Sequence, residues 1–141
     1  MTMSALNFHF DIDGEDFSSA GEASVAVKKK LRQLGFPSDV IRRCSVAMYE
    51  GEINMVIHAN GGTADVEVYP DRVVMVLEDH GPGIPDVELA MKEGYSTSTE
   101  QIRNLGFGAG MGLPNMKRYT DSITVDSTVG VGTKVTMVVN V

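Results

Sequence analysis

The sequence predicts a two-layer α/β sandwich, one mixed sheet covered on one face by helices. Three observations predict it. Strand-like alternation occurs at the start, middle and end of the chain. Two amphipathic helical stretches separate the first strand from the second. The chain has 141 residues and is 43% hydrophobic, enough for one ordinary core, so a single domain over residues 1–141 is expected.

Leu6 to Ile12 alternates apolar and polar residues, as a half-buried strand does. Ser18 and Ser19 are candidate caps for a first helix over about residues 19–34, which carries Val25, Val27 and Leu31. Its late turns carry Lys28, Lys29, Lys30 and Arg32. That run is either a solvated face with favourable dipole placement or a docking surface for an acidic partner. Gly35 fits a C-cap, and Pro37 leads into the next helix.

That second helix carries Glu50, Asn54 and His58 at i, i+4 and i+8. Such spacing stacks three polar groups on one stripe, like the wall of a site. Ile41, Cys44, Met48, Met55 and Ala59 fall on another face and read as core. A carboxylate can take a proton or orient a water. An Asn carbonyl oxygen is a hard ligand suited to Mg²⁺.

Strands follow at about residues 63–69 and 72–79, joined through Pro70-Asp71. The first alternates and the second is nearly continuous, so the second is the more buried. It ends in Asp79, followed by His80-Gly81-Pro82-Gly83-Ile84, a turn whose backbone can approach a flat ligand. Val87, Leu89, Ala90 and Met91 suggest a short helix, and Gly94 to Thr99 reads as loop. Gly106 to Gly112 has glycine at every second position and opens a helix over about residues 112–119. Such a loop presents backbone N–H groups to an anion. Strands at about 122–127 and 133–139, with a Gly130-Val131-Gly132 turn, complete the sheet.

Composition narrows the function. Net charge is −7, which argues against nucleic acid, since that needs a basic stripe. No apolar run approaches the length of a membrane span, and no secretory leader pattern opens the chain. Cys44 is the sole cysteine, so intramolecular disulfides are impossible and a cytoplasmic, reducing setting is expected. Cys44 reads as an inert core residue.

In order and spacing these segments resemble the GHKL ATPase superfamily of gyrase, heat-shock, mismatch-repair and histidine-kinase ATPases. Its N box matches Glu50, Asn54 and His58. Its G1 box matches Asp79-x-Gly81-x-Gly83-Ile84, its G2 box Gly110-Met111-Gly112-Leu113, and its final glycine-threonine element Gly130 to Thr133. The chain is most similar to the small anti-sigma factor and serine-protein kinase group. It departs from the anti-sigma pattern at Ala109, where an arginine is common, so a γ-phosphate arginine would come from Arg103 or elsewhere.

The resemblance implies a Bergerat-type ATP-binding fold, with ATP and Mg²⁺ as cofactors. Asp79 would select adenine, with Gly81, Gly83 and Ile84 around the base and Thr133 supporting Asp79 or a water. Asn54 would hold Mg²⁺. Backbone N–H groups of Gly108, Ala109, Gly110, Met111 and Gly112, ahead of Leu113, would hold phosphate. Glu50 would take the proton from an incoming hydroxyl. Residues 94–109 are where the superfamily carries its ATP lid. Three functions follow: a serine kinase acting on a STAS-type antagonist and able to sequester a sigma factor, a nucleotide-gated binding module, and a plain ATPase. Relatives of the anti-sigma kind also suggest a homodimer.

Overall fold

The computed structural model describes residues 6–14, 20–84, 86–91 and 112–141. Five strands and four helices are seen among them: β1 (Leu6–Asp13), α1 (Glu22–Gln33), α2 (Ser38–Ala59), β2 (Gly61–Tyr69), β3 (Arg72–Asp79), α3 (Val87–Ala90), α4 (Gly112–Arg118), β4 (Ser122–Thr128) and β5 (Gly132–Asn140). The strands form one sheet in the order β1-β2-β3-β5-β4. The two-layer sandwich holds, with helices packed on one face.

One expectation is corrected. The sheet is not mixed, because every neighbouring pair is antiparallel. The reason lies in the connections. Two helices, α1 and α2, separate β1 from β2, and the second reverses the direction of the first. β3 and β4 do run the same way, but β5 inserts between them and pairs with both.

Alternation sets the faces. Phe8, Phe10 and Ile12 of β1, and Ala64, Val66 and Val68 of β2, point to the helices. Val73, Met75 and Leu77 of β3, and Val135, Met137 and Val139 of β5, continue that face. Opposite them lie Leu31 of α1, Cys44 and Met48 of α2, and Met116 of α4, all fully buried. Unbranched methionine fills the uneven space between a twisted sheet and crossing helices.

α1 stops in a Schellman arrangement. Gly35 has φ 80°, its N–H donates to the Arg32 carbonyl, and the Phe36 N–H donates to the Leu31 carbonyl. Its start corrects a second expectation. Ser18 and Ser19 lie outside the described residues, and the helix begins after Gly21 with no capping side chain of its own. The cap comes from α2. Glu52 accepts N–H bonds from Gly21 at 3.0 Å, Ala23 at 3.2 Å and Ser24 at 2.6 Å. Those are first-turn donors with no partner inside α1. α2 runs 22 residues, about 33 Å, and ends at Asn60 in the left-handed region.

Candidate functional site

α2 is the spine of the site. Glu50, Asn54 and His58 lie on it as expected, each about 6 Å further along the axis. All three are half-buried. Near Glu50 and Asn54 the facing element is α4. The Asn115 amide donates to Glu50 Oε1 at 3.2 Å. A Cβ placed on Gly112 would lie 3.5 Å from Asn54 Oδ1, so the start of α4 sits directly over the Asn54 side chain. Burial pushes the Glu50 carboxyl above the usual range, and the Asn115 amide partly opposes it. A carboxylate raised in this way is a better base than one in water.

At the other end of the spine, β3 delivers Asp79. Its Oδ1 accepts the Gly81 N–H at 2.9 Å and the Thr133 N–H at 3.2 Å. Both bonds fall on one oxygen. Among the described residues Oδ2 accepts none, which leaves one acceptor for a ligand donor such as an exocyclic amine. Thr133 therefore supports Asp79 through its backbone. Its hydroxyl is engaged elsewhere, with Ser127 Oγ at 2.8 Å. Ser127 Oγ also accepts the Ile84 N–H at 2.7 Å and so fastens the turn after Asp79 to β4.

Glycines in that turn have distinct causes. A Cβ on Gly81 would stand 2.6 Å from Ala59 Cβ, so Gly81 lets the end of α2 press on the turn. Gly83 has φ 79°, and a Cβ there would stand 2.5 Å from the Thr128 carbonyl oxygen. The strand-end packing against the β4–β5 turn thus already requires glycine at 83. The Gly130 N–H closes the same contact by donating to the Pro82 carbonyl at 2.9 Å.

His58 is held by burial below the ordinary imidazole range, and the nearby Asp79 charge acts in the opposite sense. Leu113, the last residue of the matched G2 box, turns its side chain into the core, where it is 5% exposed. Lys117 and Arg118 are exposed at the far end of α4. Gly108, Ala109, Gly110 and Met111, Arg103 and the segment 94–109 lie outside the described residues. Cys44 is fully buried and its thiol is pushed up to about 12, which removes it from chemistry.

Three residues that pattern reading missed matter here. Glu52, 1% exposed, anchors α1 and lies between Glu50 and Asn54 in the chain. Its signal was present: Met48, Glu52 and Met55 share one helical stripe, and a carboxylate inside an apolar stripe must have partners. Ser127 likewise follows Ile123 and Val125 on the inward face of β4. Asn115 carried no comparable signal.

The chain thus combines a one-sided α/β sandwich with a strand-end aspartate and a glutamate-asparagine helix stripe. The profile described as "Histidine kinase-, DNA gyrase B-, and HSP90-like ATPase" matches residues 40–141, and the chain belongs to that family. It is 34% identical over 108 residues to the serine/threonine-protein kinase RsbT of Bacillus subtilis (strain 168), covering 74% of this chain and 75% of that one. It is 32% identical over 134 residues to the anti-sigma F factor of Pasteuria penetrans, covering 87% and 86%. A crystal structure of the RsbU and RsbW domains of a Mycobacterium tuberculosis protein superposes with a TM-score of 0.65 at 14% identity. That match covers 95% of this chain and 32% of the other, and it shows the fold alone.

Proposed function

We propose that this chain is an ATP-dependent serine-protein kinase and anti-sigma regulator, whose substrate is a STAS-type antagonist in a partner-switching pathway. The observation that carries the reading is the Glu50 site: a desolvated carboxylate, fixed by Asn115, one helical turn from Asn54. Binding alone needs no such base. The names borne by its relatives, a serine/threonine kinase and anti-sigma factors, support the same reading.

The residues present fit the cofactors. Asp79 offers one satisfied and one open carboxylate oxygen, which suits adenine's amine. Asn54 offers a single hard oxygen that would serve as the protein's ligand to Mg²⁺. When bound, such an ion would supply charge neutralisation for phosphoryl transfer. Asp79 orients the base. Glu50 receives the proton of the attacking serine hydroxyl at Oε2, since Oε1 accepts from Asn115. The proton leaves the hydroxyl as its oxygen bonds to phosphorus, and the bond from phosphorus to the ADP oxygen breaks.

The test is incubation with Mg-ATP and a STAS-type protein, followed by mass spectrometry of that protein. Phosphoserine that depends on Glu50 is expected. A stable ATP-dependent complex with no phosphoserine favours the second reading, a nucleotide-gated binding module, for which the anti-sigma relatives speak.

A further inference from the structure

We infer that Asn115 is a positioning residue for Glu50, fixing which carboxylate oxygen faces the reacting hydroxyl and tying α4 to the base. This rests on Glu50 being the base. The contact joins two elements 65 residues apart in sequence, Asn115 Nδ2 to Glu50 Oε1 at 3.2 Å. The Asn115 side chain makes no other hydrogen bond among the described residues, its backbone carbonyl accepting the Tyr119 N–H at the end of α4, so the amide is committed to this carboxylate. Asn115 sits three residues beyond Gly112, the glycine over Asn54. A rotation of α4 therefore moves the Glu50 carboxylate and the backbone facing Asn54 together.

The surroundings isolate the effect. Tyr49 and Glu52, the neighbours of Glu50 on α2, turn elsewhere: Tyr49 packs on Gly21, and Glu52 is held in the α1 N-terminus. Of α4's residues Asn115 faces Glu50, while the cations Lys117 and Arg118 are exposed. Among the described residues no ion pair reaches Glu50. Among the same residues, burial and then the Asn115 amide act on its protonation, in opposite directions. Removing the amide leaves burial unopposed and raises the pH at which Glu50 loses its proton.

The experiment is a ¹³C-carboxyl NMR titration of the nucleotide-free protein, with the Glu50 signal identified by its loss in Glu50→Gln. Wild type is compared with Asn115→Leu and with Asn115→Asp, the latter preserving side-chain shape should the leucine variant fold poorly. The Glu50 midpoint should rise in both. The acid limb of the turnover–pH profile should rise with it, and kcat should fall by up to about 10²-fold from misplacement of the base. An unchanged Glu50 midpoint in both variants overturns the inference. A raised midpoint with a stationary acid limb leaves the contact standing and overturns Glu50 as the base.

Discussion

Asp79 commits one oxygen to the protein and, among the described residues, leaves the other without a hydrogen bond. Oδ1 is held by the Gly81 and Thr133 N–H groups, which fixes the carboxylate plane. Asp79→Asn can keep that half, with its carbonyl oxygen on the same donors. It then turns an NH₂ toward the position where an adenine amine must donate. Such a mispaired polar contact costs roughly 1–3 kcal/mol, or about 5- to 150-fold in affinity. Calorimetric titration with ATP and GTP checks this, and equal affinities in wild type would remove the adenine assignment. At this scale the sequence was informative where spacing alone suffices. Glu50, Asn54 and His58 needed only a helix to share a stripe. The partners of Glu50 and Glu52 were not legible, because they depend on where α4 and the start of α1 dock against α2. Thr133 was read as a support for Asp79, but through which atom depends on the β3–β5 register.

Between elements, two contacts carry specific consequences. Glu52 is the cap of α1, and Glu52→Ala leaves three helix donors without their acceptor. Each unpaired buried donor costs roughly 1–3 kcal/mol, less where water enters. A total loss on the order of 3 kcal/mol is expected from urea unfolding, with the slope unchanged. A loss under about 0.5 kcal/mol would mean that α1 is held by its apolar face alone. β1 is an edge strand, and His9 joins it to β2 through Asp65 at 2.6 Å, with Asp11 at 3.1 Å. The Asp65 bond, then that of Asp11, raises the His9 pKa above 6.5. A raised histidine contributes stability fully below its unfolded value and loses it as pH rises through the folded one. The His9 proton signal should titrate above 6.5, and Asp65→Asn should lower the midpoint. Amide exchange along β1, corrected for intrinsic rate, should then quicken above that midpoint. A midpoint at or below 6.5 would contradict the pairing.

Across the whole molecule, one long helix, α2, carries both ends of the candidate site. The outer turns of α2 reach the strand-end aspartate, its middle turns reach α4, and its inward stripe anchors the core through Cys44, Met48 and Met55. The sandwich itself was legible, because alternation and amphipathic period report which face of each element is buried. Strand direction was not. It follows from how many helices intervene and from β5 inserting beside β3, and neither fact is local in sequence. The family's motifs supplied the candidate site's members, and the geometry supports the proposed division of labour among them.

That division is tested most directly by separating affinity from turnover in one variant. Glu50→Gln keeps the Asn115 contact through its carbonyl oxygen and removes only the base. Calorimetry should give an Mg-ATP affinity within about twofold of wild type. Single-turnover transfer of the γ-phosphate to a STAS-type protein should fall by about 10²–10⁴-fold. Transfer at the wild-type rate with Glu50→Gln would contradict the account, because the hydroxyl proton would then leave by a route that Glu50 does not provide.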